Sequence, residues 1–149
     1  MLELISKVEF GISELFSCLA LAISILSVVS TWKNHQMQTE LQIYQMVCEE
    51  KKNYSSTILK LHMAQNEGQS MNSDLAVDIV TENLCNAYDV FCGNYIDKHI
   101  SRKRFRRIYA KEVLNWVEIA EKNGLYDGQQ KEYQDTFTVY QKLKNLKVK

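Results

Sequence analysis

The most marked pattern along the chain is an apolar run from Leu15 to Trp32, LFSCLALAISILSVVSTW, which contains no charged residue. An α-helix rises about 1.5 Å per residue, so this run makes a helix of about 27 Å, close to the roughly 30 Å hydrocarbon thickness of a bilayer. The pattern therefore predicts one membrane-spanning helix. Trp32 stands at its end, where interfacial aromatic side chains commonly anchor a span.

Small and hydroxylated residues recur inside and beside this run at alternating spacings of four and three. This hydroxyl stripe comprises Ser13, Ser17, Ala20, Ser24, Ser27 and Thr31. Such spacing keeps one helix face against a partner, where small side chains let two backbones approach and each cross-helix hydroxyl bond adds about 0.6 kcal/mol. We expect the span to self-associate into a homo-oligomer. The alternative is a pore-forming or membrane-disrupting effector, in which several spans assemble and the stripe lines a leak.

Two other interpretations of the N-terminal segment stay open, a cleaved secretory signal and a buried helix of a soluble protein. A signal needs a positive start and an apolar core of about 7–15 residues. Here Glu3, Glu9 and Glu14 outnumber Lys7, which favours a retained anchor.

The distribution of basic residues and cysteines predicts which side of the membrane the remainder occupies. Lys7 precedes the span, whereas Lys33 and then Lys51 and Lys52 follow it, a bias towards a cytoplasmic C-terminal domain. Outside the span the cysteines are Cys48, Cys85 and Cys92. None forms a C-x-x-C pair, and seven residues of helix separate the last two by about 10 Å, too far for a disulfide. Reduced thiols in the cytosol are expected.

The chain lacks proline and has five glycines in 149 residues, so we predict an all-α protein in which one N-terminal transmembrane helix continues into, or is followed by, a three- to four-helix bundle. The predicted parts are a membrane anchor at 1–33, a juxtamembrane helix at 34–65 and a cytoplasmic helical domain at 66–149. Residues 34–65 either extend the anchor as a helix that pairs with a neighbour or pack on their own domain. The repeat that raises the first possibility is Met37, Leu41, Tyr44 and Cys48.

Turn and cap signals divide the region beyond residue 65. The polar stretch NEGQSMNS at 66–73 predicts a loop, with Ser73 capping a helix over 74–97. Ser101 is expected to cap the next helix, and Asn123-Gly124 to end it. A last helix should carry Tyr133, Phe137, Tyr140 and Leu143. The apolar stripes of these helices, which are rich in aromatic residues, are predicted to form the core. They include Val77, Leu84, Tyr88, Phe91, Tyr95, Phe105, Tyr109 and Trp116.

Charge is balanced overall, at 18 basic and 18 acidic residues, but it is unevenly distributed. Residues 98–111 carry seven Lys or Arg and no acid, whereas residues 33–97 carry four Lys against nine acids. The candidate residues for binding an anionic surface or a partner are Lys98, Arg102, Lys103, Arg104, Arg106 and Arg107. Four interpretations stay open: a solvated face that pairs with the preceding acids, an anionic membrane surface, an acidic protein, and nucleic acid as the least favoured partner.

The sequence contains no recognisable catalytic motif, so we expect the protein not to be an enzyme and to bind no cofactor or metal. His35, His62 and His99 are isolated, and no glycine-rich phosphate loop occurs. The acids Asp78, Glu82 and Asp89 on the second predicted helix read as solvated. We therefore name no catalytic, cofactor-binding or metal-ligating residue.

One segment carries a resemblance. A single N-terminal span precedes a segment with Asn86, Tyr88 and Asp89, then Ile96-Asp97, and then an aromatic and basic helix. This arrangement is similar to small bacterial membrane-anchored helical proteins. Those proteins often lie beside mobile elements and anti-phage defence systems. The resemblance implies a single-pass protein of the bacterial inner membrane that acts as a defence effector or accessory. That family has no agreed catalytic residues, so none is carried over. Independently of the resemblance, Asn86 and Asp89 are suited to brace a turn between helices.

Overall fold

The computed structural model describes the backbone of residues 2–67, 73–126 and 132–147, and the side chains of 13–67, 74–126 and 132–146. All regular structure in these ranges is helical, which confirms the predicted all-α class. The helices are α1 (Leu2–Asn66), α2 (Ser73–Ile96), α3 (Arg102–Ile108), α4 (Ala110–Lys122) and α5 (Gln134–Lys147). The chain divides into two compact units, Met1–Gln36 and Met37–Lys149.

Helix α1 continues without a break after Gly11 because nothing in the sequence beyond that residue interrupts it. Neither glycine nor proline occurs between residues 12 and 67, so every position retains its backbone donor and a side chain that restricts the unfolded chain. The apolar run and the helix predicted over residues 34–65 therefore belong to one helix, α1, which ends at Asn66.

The part of α1 that belongs to the second unit packs on its own domain. Val47, Leu61 and Ala64 are buried, and Tyr44 is half-buried against the core. Met37 and Leu41 are 51% and 58% exposed, so the repeat seen in the sequence does not mark one buried face.

The predicted boundaries of α2 are confirmed within one residue. The helix begins at Ser73, with Asp74 in its first turn, and ends at Ile96. In the preceding predicted loop, Glu67 forms a turn whose N–H donates to the Met63 carbonyl over 3.1 Å, and residues 68–72 lie outside the described ranges.

The single helix predicted from Ser101 to Asn123 is two helices in the structure, α3 and α4, joined at Tyr109. Tyr109 has φ −106° and ψ −14°, a distorted helical conformation. Ser101 occupies the predicted cap position, but its side chain makes no capping hydrogen bond. The end at Asn123-Gly124 is confirmed: Gly124 has φ 69°, and the Leu125 N–H donates to the Ala120 carbonyl over 2.9 Å, the closure that glycine permits.

Aromatic side chains from the predicted stripes form much of the core, but Val77, which the sequence placed there, is only half-buried and lies outside it. Phe105 is fully buried and packs against two rings of α2, with centroid distances of 4.3 Å to Tyr95 and 4.9 Å to Phe91. Tyr88 stacks on Trp116 with centroids 5.0 Å apart and an interplanar angle of 8°. Such pairs add about 0.5–1.5 kcal/mol each beyond the area they bury.

Helix α5 packs on α2 through a polar contact that involves Asp89. The Asp89 carboxylate accepts hydrogen bonds from the Thr136 N–H over 2.9 Å and from its hydroxyl over 3.0 Å. Asp89 is therefore not the solvated acid that its sequence suggested: it is half-buried and satisfies the N-terminus of α5. Gly93 lets the helices approach closely there, since a Cβ would lie 2.6 Å from Asp135 Oδ2.

Candidate functional site

One described helix, α1, is long and apolar enough to cross a membrane, judged by length and composition. Its apolar part lies near the N-terminus, and none of its most apolar 18 residues is buried. Leu15, Leu26 and Val28 are about two-thirds exposed or more, at 70%, 68% and 69%. This surface has no protein covering within the described parts of the chain.

The hydroxyl stripe is exposed along the same helix, and three of its hydroxyls donate to their own backbone. Ser17 donates to the Ser13 carbonyl, Ser24 to that of Ala20, and Ser27 to that of Ile23, each over 2.9 Å. These protons are therefore satisfied within the helix, a common arrangement for serine in spans. This face therefore offers a second helix small side chains and oxygen lone pairs, but few free hydroxyl protons.

The basic helix α3 does not present its cations as one uniform face. Arg104 is drawn towards α1, where its Nε lies 2.8 Å from Glu40 Oε1. The Nε–H has no aligned hydrogen-bond acceptor among the described residues, so the contact is an ion pair rather than a hydrogen bond. Glu40 is 2% exposed and also accepts the Tyr109 hydroxyl over 2.9 Å. Glu40 of α1 thus neutralises Arg104. This one pair agrees with the interpretation in which the basic face pairs with the acids that precede it.

Two further arginines of α3 are held locally. Arg102 Nη2 donates to the Ile96 carbonyl over 3.2 Å, at the C-terminal end of α2, where a cation is favoured by the helix dipole. Arg106 Nε donates to the Tyr95 hydroxyl over 3.1 Å. Both side chains keep exposed surface, but each has a defined intramolecular partner.

The remaining candidate cations are placed differently. Lys98 lies in the turn between α2 and α3 with φ 65°, a left-handed conformation. Lys103 and Arg107 are exposed, and neither forms a hydrogen bond or ion pair with another described residue.

A polar cluster around Glu112, which the sequence did not reveal, lies in the same unit. The carboxylate accepts the Tyr44 hydroxyl over 3.0 Å, the Tyr88 hydroxyl over 3.1 Å and Lys51 Nζ over 2.8 Å. The partners come from α1 and α2, 24 to 68 residues away, which no local spacing rule can detect. The sequence shows Glu112 as an acid in the first turn of α4, but it does not indicate which residues Glu112 contacts.

The tyrosines of these clusters serve as neutral donors. Burial, followed by the negative charge of Glu112, raises the pKa of both Tyr44 and Tyr88 above the ordinary tyrosine value. Burial and the hydrogen bond to Glu40 raise the pKa of Tyr109 to about 12. Hydroxyls that hold their protons so firmly brace helices and are poorly suited to act as bases or nucleophiles near neutral pH.

An open groove of about 460 Å³ adjoins the Glu112 cluster and runs along α4, with lining residues from α1 and α2 as well. It is lined by Lys51, Tyr88, Ile108, Lys111, Glu112, Asn115, Trp116 and Ile119. Ile108 and Ile119 are 47% and 54% exposed, so the groove combines apolar and cationic surface.

The described ranges contain neither a metal-binding cluster nor a disulfide. No group of three or more His, Cys, Asp or Glu side chains there is placed to hold a metal ion. All four cysteines are free: Cys18 and Cys48 are exposed, and Cys85 and Cys92 are buried. Burial raises the pKa of Cys85 to about 11 and that of Cys92 further, so neither thiol is activated.

The structure brings together part of what the sequence proposed. Arg102, Arg104 and Arg106 are bound to the bundle, whereas Lys103 and Arg107 share an open face with Lys111, which the candidate set did not include. The resemblance carried by Asn86 to Asp97 and the basic helix that follows stays a prediction, because comparisons with protein-family models, with curated proteins and with solved structures each give no match.

Proposed function

We propose that this chain is a membrane-anchored, non-enzymatic helical module that self-associates through its span and recruits or senses a partner. The anchor is the apolar part of α1, and the recruiting body is the bundle formed by residues 37–149. Following the resemblance, the proposed setting is the bacterial inner membrane, in a single-pass arrangement with a cytoplasmic C-terminal domain and a role as a component of an anti-phage system.

The observation that carries the proposal is the exposed apolar surface of α1. An 18-residue stretch with no buried side chain exceeds the few hundred Å² of contiguous apolar surface that a soluble monomer usually exposes. A helix that is apolar all round is stable where lipid or protein surrounds it. Lipid is the simpler surrounding, since the length of the run matches a bilayer.

Self-association is supported by the packing opportunity of the hydroxyl stripe. Because the Ser17, Ser24 and Ser27 protons bond within the helix, close backbone contact between small residues is the main stabilising term that we expect. The hydroxyl oxygens add weaker contacts to donors of a second helix.

The test is energy transfer between two differently labelled full-length populations in proteoliposomes. Changing Ser17, Ser24 and Ser27 together to Leu should abolish transfer, because leucine side chains keep the two backbones apart. The matched control changes Ala22 and Val29 to Leu on the opposite side of the helix, and it should retain transfer. Equal transfer in both variants would contradict the assigned interface.

A pore would give a different result in cells. Expression of the wild-type chain would then depolarise the membrane rapidly, as seen with a voltage-sensitive dye, and the serine-to-leucine variant would not. We expect no depolarisation at matched membrane levels, because the serine protons are satisfied without water.

A further inference from the structure

Three cations form a continuous row along the outer side of α3 and the start of α4. Lys103, Arg107 and Lys111 are spaced four residues apart, and all three are exposed. The junction at Tyr109 preserves this alignment, because backbone bonds of the i to i−4 type run through it. The Tyr109 N–H donates to the Phe105 carbonyl over 2.8 Å, and the Val113 N–H to the Tyr109 carbonyl over 3.0 Å.

This cation row differs from the other arginines of α3 in that its charges are available. Arg102, Arg104 and Arg106 have partners within the bundle. No member of the cation row forms a hydrogen bond or ion pair with any other residue in the ranges that the structure describes. A ligand that binds the row therefore displaces no partner among the described residues, whereas a ligand for the other three arginines must displace one.

The acids near the row do not neutralise it. Residues 98–111 contain no acid, and the first acid of α4, Glu112, is already bound by Tyr44, Tyr88 and Lys51. The next exposed acid, Glu118, lies nearly two helical turns beyond Lys111. The positive surface is therefore bounded by α3 and the first turn of α4.

Apolar surface adjoins the Lys111 end of the row. Lys111 lines the 460 Å³ groove together with Ile108, Trp116 and Ile119, and the two isoleucines are about half exposed. Cations beside exposed aliphatic side chains are typical of surfaces that bind at a membrane interface, where charge meets the headgroups and aliphatic side chains enter the acyl boundary. A nucleic-acid backbone would use the cations but would leave the isoleucines unpartnered.

We propose that Lys103, Arg107 and Lys111 bind the phosphate groups of anionic phospholipids, while Ile108 and Ile119 contact the apolar part of the same lipid. This inference rests on the proposed function, because it takes the chain to be anchored in a membrane that contains such lipids. It assigns the open basic surface to lipid and identifies which cations act, and it gives Arg102, Arg104 and Arg106 a structural role.

A tryptophan in the groove provides a local reporter. The chain has two tryptophans, so Trp32→Phe leaves Trp116 as the only one. The full-length protein in neutral detergent micelles is titrated with phosphatidylglycerol that carries brominated acyl chains, which quench nearby indole fluorescence. Phosphatidylcholine with the same brominated chains tests whether a zwitterionic headgroup is enough for binding. Inorganic phosphate, added as a competitor, tests whether the row binds the free anion instead of the lipid.

The expected result is quenching of Trp116 by the anionic lipid at low mole fraction, with little quenching by the zwitterionic lipid and no reversal by inorganic phosphate. Replacing Lys103, Arg107 and Lys111 with Gln should weaken binding about a hundredfold, since each cation near an anionic surface contributes about 1 kcal/mol. The matched control, Lys52, Lys60 and Lys122 to Gln, removes the same charge from exposed positions elsewhere and should bind like the wild type.

Several outcomes would overturn the inference. These are equal quenching by both lipids, an unchanged affinity in the row variant, an equal loss in the control, and displacement of the lipid by an equimolar acidic polypeptide. The last result would assign the row to an acidic protein. Failure here is distinct from failure of the proposed function: a chain that self-associates in proteoliposomes without selective quenching refutes only the lipid assignment, whereas a chain that carbonate releases from membranes refutes the anchor.

Discussion

The buried acid Glu40 offers the sharpest test of how the bundle is held together. Its carboxylate, 2% exposed, accepts the Tyr109 hydroxyl over 2.9 Å and lies 2.8 Å from Arg104 Nε. These contacts tie α1 to α3 and to the junction with α4. The perturbation is Glu40→Ala, with Glu49→Ala, an exposed acid of the same helix, as its control.

The magnitude follows from what the substitution leaves behind. Tyr109 is 6% exposed, and a buried hydroxyl that loses its acceptor costs about 1–3 kcal/mol. The Arg104 side chain is 42% exposed, so its half of the ion pair contributes about 0–1 kcal/mol after solvent screening. We expect Glu40→Ala to lower the free energy of unfolding by about 1–4 kcal/mol, the sum of these two ranges, and Glu49→Ala by less than about 0.5 kcal/mol.

The assay is urea unfolding of the full-length Trp32→Phe protein in neutral detergent micelles, followed by Trp116 fluorescence. A double-mutant cycle with Tyr109→Phe isolates the contact itself. The hydrogen bond to a charged acceptor predicts a coupling energy of about 1.5–3 kcal/mol between the two substitutions. Additive effects, within about 0.5 kcal/mol, would refute the view that Glu40 stabilises the bundle through Tyr109.

Two further predictions concern the same bundle. Asp89→Ala removes both acceptor bonds to the buried Thr136 and should cost about 1–3 kcal/mol in urea unfolding, whereas Asp78→Ala, at an exposed position of α2, should be nearly neutral; equal effects would contradict a bracing role. Because the native pKa of Tyr109 is raised to about 12, the unfolded chain loses this proton near pH 10 while the native chain retains it. Stability is therefore complete below about pH 10 and falls by up to about 1.4 kcal/mol per pH unit as the pH rises towards 12. Urea midpoints at pH 9, 10 and 11 should decline less steeply in Tyr109→Phe, and identical slopes would contradict this assignment.

The features that local sequence determines were predictable. The absence of helix breakers predicted helix on both sides of residue 33, and the Asn123-Gly124 pair predicted the end of α4, because glycine adopts the left-handed conformation that closes the helix there. The aromatic residues at helical spacing predicted the core, since burial follows the apolar face. In each case the cause lies within a few residues of its effect.

The features that tertiary contacts determine were not predictable. Glu40 meets Tyr109 across 69 residues of sequence, and Glu112 meets Tyr44 across 68. The local sequence of Asp89 predicts a solvated acid because its partner, Thr136, belongs to a helix 47 residues later. For the same reason the basic block appeared uniform, although the structure holds Arg104 against a buried acid and leaves Lys103 and Arg107 without a described partner. The break at Tyr109 has no glycine or proline to announce it.

The central claim is that the apolar part of α1 resides in lipid, and alkaline carbonate extraction of membranes that contain the full-length chain tests it most directly. We predict that the intact chain, beginning with its N-terminal segment, stays in the membrane pellet while peripheral proteins are released. Recovery of the chain in the supernatant, or of a mature product that starts after Trp32, would contradict the account.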